Sequence, residues 1–185
     1  MLNLLRNTMR FIRIMAARQR TYSWPAYLLG MCVAVDNAGP GPVAWLRGGR
    51  RPLLQSSSRK QIRLGHAGLY PGVKICAHGE GKITVGNGTF INHDSQIKAR
   101  TSVCIGDNSM VSWDVLITDF MDFEKAPEQS VRFRHKPVRI GHECWIGAKA
   151  LILGGTVLGD GCLVAAGAVV CGEFAPGQVI VAPRK

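Results

Sequence analysis

IGHECWIGAKALILGGTVLGDGCLVAAGAVVCGEFA, residues 140–175, is the stretch that decides the fold. An aliphatic residue recurs every six positions, at Ile140, Ile146, Ile152, Leu158, Val164 and Val170. Four positions after each stand Cys144, Ala150, Thr156, Cys162, Ala168 and Phe174, small in five cases of six. The residue directly after the aliphatic one is Gly or Ala in four of six. A period of six is neither the alternation of a free strand nor the 3.6 of a helix. It fits a short strand and a turn, repeated, and three such units close a triangular coil of about 18 residues. The aliphatic residue points into the prism and the small one packs near each corner. Cys144 and Cys162 then stack in adjacent coils as buried thiols. The pattern predicts an all-β solenoid.

Upstream the same period returns at Val85, Ile91, Ile97 and Val103, and after a two-residue slip at Ile105, Val111 and Ile117. Leu64/Tyr70 and Val73/Ile75/Ile83 are weaker versions. Between Ile117 and Ile140 it fails. Residues 118–139, TDFMDFEKAPEQSVRFRHKPVR, are expected to be an irregular loop protruding from the prism.

At 185 residues the chain suits one cored domain. Its 22 glycines and 7% aromatic content suit slim side chains between tight corners. The net charge of +11 is unevenly spread. Residues 1–63 hold 11 of the 23 Lys/Arg and a single acid, Asp36, whereas residues 64–185 hold 12 against 11 acids. A nearly neutral body argues against nucleic-acid binding, which would place basic and aromatic residues together on the folded surface. A basic arm beside an anionic membrane or acidic partners fits better.

In MLNLLRNTMRFIRIMAARQR, Leu2, Leu5, Met9, Ile12 and Ala16 recur at helical spacing, with Arg6, Arg10, Arg13 and Arg20 on another face. An amphipathic helix is expected, either packed on protein or lying at a membrane interface. Arginines interrupt every apolar stretch, so neither a signal peptide nor a membrane span is expected. Residues 21–45 read as a short helix with irregular cover, and 47–63 as a basic linker. The expected organisation is residues 1–61 as N-terminal helix and linker and 62–185 as the solenoid. Six cysteines without a CxxC pair read as free thiols in a reducing cytosol.

The repeat, with VGNGTFINHDSQI (85–97) and IGDNSMVSWDVLITD (105–119), resembles the hexapeptide-repeat acyltransferases, notably the maltose/galactoside-type and polysaccharide-modifying O-acetyltransferases. The resemblance covers roughly residues 62–182. It implies a left-handed parallel β-helix, a homotrimer, acetyl-CoA as co-substrate without a metal, and a sugar or polysaccharide acceptor. It places the protein in the cytoplasm, with peripheral membrane contact through residues 1–20 as an added option. A catalytically degenerate β-helix scaffold is the alternative. A zinc site would need paired histidines in neighbouring repeat units, and His66, His78, His93 and His142 show no such pairing.

The resemblance also implies roles. Trp145, Ala148, Ala166 and Gly167 match acyl-CoA-side positions, where small residues let the pantetheine arm approach the backbone; small residues also simply let coils turn. Asn92, Asp94 and Trp113 match the acceptor side, although an Asn can equally cap a corner. Asp119 and Asp122 stand in the loop beside them. Relatives carry a histidine base in this loop, but ITDFMDFEKAP has none, so Glu124 takes that position or His135 folds back to it. Where relatives have Thr or Ser followed by Lys, this chain has Cys171 and Gly172. Arg184 and Lys185 remain as the nearby cations.

Overall fold

The structure is a computed structural model that describes residues 52–58, 60–120, 122–125 and 131–181. The expected N-terminal helix and the cations Arg184 and Lys185 lie outside the described residues.

Three parallel sheets of six strands each form the faces of a triangular prism. The chain visits them in turn: Leu53–Gln55 on the first face, Ile62–Leu64 on the second, Gly68–Leu69 on the third, then Lys74–Ala77 back on the first. This is the parallel β-helix that the period predicts. Leu53–Gln55 pairs with Lys74–Ala77, so the solenoid already includes residues upstream of 62.

The inward column is the aliphatic one. Ile140, Ile146, Ile152, Leu158, Val164 and Val170 are all at most 3% exposed. Of the small residues, all but Phe174 are buried, and Phe174 packs against the core from its margin. In the two-residue strands other than Gly68–Leu69 the first side chain faces out and the second in, as in Trp145–Ile146 and Leu151–Ile152. Coil length is not constant. Ile152 pairs with Val170, 18 residues on, but Ile97 pairs with Ile117, 20 on, and Ile75 with Ile97, 22 on. The earlier coils carry four-residue strands such as Lys82–Val85 and Ser102–Ile105, with two inward residues each. That is the origin of the two-residue slip between Val103 and Ile105.

Each corner is held by polar bonds to the next coil. Where the second face turns into the third, Thr89 Oγ1 donates to the Gly106 carbonyl (2.7 Å) and accepts from Ser109 N–H (3.1 Å). Ser109 Oγ donates to the Gly141 carbonyl and accepts from Cys144 N–H. The Cys144 thiol continues the column to the Gly159 carbonyl (3.2 Å), and Cys162 to the Ala175 carbonyl (3.1 Å). Cys144 and Cys162 are therefore stacked core thiols, both free. Outside the same corner a second ladder climbs, in which each side chain accepts from the backbone N–H one coil earlier. Asn87 accepts from His66, Asp107 from Asn87, His142 Nδ1 from Asp107, and Asp160 from His142, over 2.7–3.1 Å.

Burial pushes the Cys144 thiol above its ordinary value of 9.0. The folded state thus keeps a proton that the unfolded chain releases. Its contribution is complete below the unfolded pKa and is lost as pH rises through the folded one. Urea stability is expected to be flat around pH 8 and to fall at higher pH. Cys144→Ser should flatten that fall and cost no more than about 1 kcal/mol at neutral pH, because Ser109 already fills the same column. Denaturation series at neutral and alkaline pH check both.

The described part of 118–139 departs from the expected irregular loop. Thr118 ends strand Leu116–Thr118 and Arg139 lies within Val138–Ile140, so the excursion is narrower than its sequence limits. Within it, Asp122–Lys125 and Val131–Arg134 pair antiparallel, forming a hairpin instead of an irregular loop. No helix among the described residues is long and apolar enough to cross a membrane.

Candidate active site

The edge between the third and first faces carries most of the sequence-selected positions. Its turns, stacked one per coil, are Asn92–Ser95, Ser112–Val115, Gly147–Ala150 and Ala165–Ala168. Backbone bonds tie them in register: Asp114 N–H to His93 C=O (3.0 Å), Lys149 N–H to Trp113 C=O (3.0 Å), and Gly167 N–H to Ala148 C=O (2.8 Å). Asn92, Asp94 and Trp113 therefore stand directly in line with Ala148, Ala166 and Gly167. Sequence distance hides this, because these residues come from four different coils.

Local chemistry fixes each residue. The Asn92 side-chain oxygen accepts from His93 N–H at 2.8 Å, the corner-capping role. Asp94, Asp114 and Lys149 occupy the left-handed region at φ of 55–59°, the conformation that lets the chain turn sharply. Any side chain at Gly72 would collide with the Asp94 carboxylate, so Asp94 folds back over the preceding coil. Ala148 is half-buried, and Ala166 and Gly167 are exposed, which leaves a wall of backbone and methyl groups. That wall is made possible by Gly147. A methyl there would lie 2.5 Å from the Ala166 nitrogen and 2.7 Å from the Val164 oxygen.

Trp145 borders this wall. It projects from the third face, half exposed, and its indole Nε1–H donates to Ser112 Oγ at 3.3 Å. Ser112 was not selected from the sequence; it lies 33 residues from Trp145, and only its hexapeptide phase, just after Val111, marks it as a corner residue. Trp113 is also half exposed, so two large aromatic surfaces flank the edge.

The loop leaves from a different edge, between the first and second faces. Asp119 is fully buried there, and its carboxylate oxygens accept from Arg100 N–H (2.8 Å) and Thr101 N–H (2.6 Å). This corrects its expected acceptor-side role: the carboxylate is occupied in holding the corner. Lys136 N–H donates to the Asp119 carbonyl at 3.1 Å, and Gly155 N–H donates back to Lys136 and Pro137. Departure and return are thus clamped together over Gly154. Phe120 packs edge-on against His78 (5.7 Å) beneath the Arg100 guanidinium (5.2 Å). In the hairpin, Glu124 stands opposite Arg132 and Asp122 opposite Arg134. His135 is exposed just after the hairpin.

The structure thus brings Asn92, Asp94, Trp113, Trp145, Ala148, Ala166 and Gly167 to one edge. The root of the loop bearing Asp122, Glu124 and His135 lies across the first face, about 10 Å of strand away. Among the described residues no cluster of three or more His, Cys, Asp or Glu could hold a metal ion.

The model of the hexapeptide repeat of succinyl-transferase matches residues 137–171. Rv3034c of Mycobacterium tuberculosis, named as a probable acetyltransferase, is 35% identical over 115 residues, which span 60% of this chain and 38% of that protein. WbbJ of Escherichia coli, named as a lipopolysaccharide biosynthesis O-acetyl transferase, is 29% identical over 119 residues, 59% of this chain and 61% of that one. The chain thus spans less than two thirds of either relative. Among solved structures, AntD, an N-acyltransferase from Bacillus cereus with dTDP and 3-hydroxybutyryl-CoA bound, superposes with a TM-score of 0.68 at 17% identity. The superposition covers 87% of this chain and 84% of AntD, and at that identity it speaks for the fold. With the period of six, the three-faced prism and the matched repeat in agreement, residues 137–171 are hexapeptide repeats within a parallel β-helix similar to that of the hexapeptide-repeat acyltransferases.

Proposed function

We propose that this protein transfers the acetyl group of acetyl-CoA to a hydroxyl of a sugar or polysaccharide precursor, in a site shared between copies of a homotrimer. The carrying observation is the single straight edge on which Asn92 and Trp113 stand in line with the small-residue wall of Ala148, Ala166 and Gly167. The wall admits the pantetheine arm close to the backbone, Trp145 bounds its side, and Asn92 meets the acceptor hydroxyls. The acceptor oxygen attacks the thioester carbonyl, a base takes its proton, and CoA leaves as the thiolate. Glu124 and His135 are the candidate bases, with Asp122 beside them. Their loop roots on another edge, which suits delivery to the groove of a neighbouring copy. The third face supports such packing, since Phe90, Met110, Trp145, Leu163 and Val179 follow one another outward along it.

The test is thioester cleavage of acetyl-CoA with a panel of sugar acceptors. Replacing the true base, by Glu124→Gln or His135→Ala, should lower kcat by about 10²- to 10⁴-fold. Absence of turnover with every acceptor, together with no acetyl-CoA binding by calorimetry, would sink the reading. The departure at Cys171 and Gly172 favours a second reading, a binding module without catalysis. Sugar binding without thioester cleavage would establish that one.

A further inference from the structure

The prism is electrically two-sided. Arg63, Lys82 and Arg139 point outward from the second face, Lys74 and Lys98 from the first, and Arg100 sits at the edge between them. Among the described residues of these two faces and their common edge, outside the hairpin rooted there, the exposed acids are Glu80 and Glu173, since the Asp119 carboxylate is buried on backbone amides. The opposite side is the reverse. No strand of the third face carries a charged residue, and among the described residues its two flanking edges hold Asp94, Asp107, Asp114, Glu143 and Asp160 against the cation Lys149.

Neighbouring coils are about 4.8 Å apart, so successive cations lie within one Debye length and act as a single positive field. They spread along a convex ridge and two flat faces and do not converge on one point. That distribution suits a sheet of negative headgroups better than an enclosed anion. The ridge is also where the chain arrives. Residues 1–63, with eleven Lys/Arg and one acid, enter the prism through Leu53–Gln55 and Ile62–Leu64 on these same two faces. Most of the ridge cations belong to the coils next to that entry.

We propose that the ridge between the first and second faces is a docking surface for an anionic lipid bilayer, which turns the apolar third face and its groove edge away from the membrane. Each Lys or Arg near an anionic bilayer adds to the attraction, and salt weakens the sum. The surface works with the N-terminal segment but does not depend on it. It goes beyond the acetyl-transfer reading and does not need it.

The experiment is co-sedimentation of the full chain with vesicles of phosphatidylcholine alone or with roughly a third phosphatidylserine, at low and physiological salt. The wild type should pellet with the anionic vesicles only, and less at higher salt. The combined variant Lys74→Glu/Lys82→Glu/Lys98→Glu should lose about tenfold or more in partitioning, with an unchanged melting temperature. Lys149→Glu, a reversal on the far side at a position type that Glu143 already fills, should change it less than about twofold. Thermal melting and circular dichroism show whether the triple variant folds; if it does not, Lys82→Glu alone should show a smaller loss in the same direction. Undiminished partitioning of folded variants would overturn the proposal. So would equal loss in Lys149→Glu, failure of the wild type to pellet, or equally tight binding to a soluble polyanion. Vesicle binding is read without acyl donor, so it stands or falls apart from the acetyl-transfer assay.

Discussion

Asp119→Ala is expected to lower the free energy of unfolding by about 2–4 kcal/mol. The wild-type carboxylate accepts two short backbone bonds, from Arg100 and Thr101, in a position fully shut off from solvent. Hydrogen bonds to a charged acceptor are worth about 1.5–3 kcal/mol each, and alanine removes both. The two amides belong to partly exposed residues, so water can reach them in the variant, which keeps the total below the sum of the upper values. Asp119→Asn keeps one acceptor oxygen and should cost about half as much. Urea titration measures the difference, and a change under about 0.5 kcal/mol for the alanine variant would refute the corner's dependence on this side chain. Because the Asp119 side chain holds the corner from which the hairpin departs, the proposed transferase activity should fall in the alanine variant by more than the folded fraction accounts for.

Gly147→Ala tests the groove wall. The added methyl would meet the Ala166 nitrogen at 2.5 Å, the Val164 oxygen at 2.7 Å and the Ala165 carbonyl carbon at 2.8 Å. All three are backbone atoms, so no side chain can swing aside. The following coil must shift outward at the very edge that carries Ala166 and Gly167. Overpacking of this kind costs about 1–3 kcal/mol. Acetyl-CoA affinity, read by calorimetry on the folded fraction, should weaken by about tenfold or more, because a pantetheine arm depends on the contour of the backbone. A variant as stable as the wild type with unchanged affinity would show that the wall is elsewhere.

The sequence made the core legible because each inward position repeats at a fixed interval, and Ile140 to Val170 are buried as their phase requires. The slip at Ile105 was visible but not its cause, since a four-residue strand with two inward residues looks locally like a shifted register. The hairpin was missed for a related reason. The alternation within Asp122–Lys125 and Val131–Arg134 is too short to stand out from an irregular loop. The positions matched by resemblance to an acceptor side and an acyl-CoA side come from four coils, and their common edge was not legible, because it is built by coil closure and not by sequence proximity. Asp119 misled for a physical reason. A carboxylate beside a loop reads as a ligand group, whereas the corner beneath the loop needed an acceptor for two amides first.

The closure of Asp119 onto Lys136 above Gly154 has an evolutionary consequence. The prism receives the same two chain ends at that corner whatever lies between them. The hairpin can therefore lengthen, shorten or change its side chains without disturbing a single coil. Selection can revise one cassette while stability is inherited through the rungs, so a substitution in the loop is a change the scaffold would not feel.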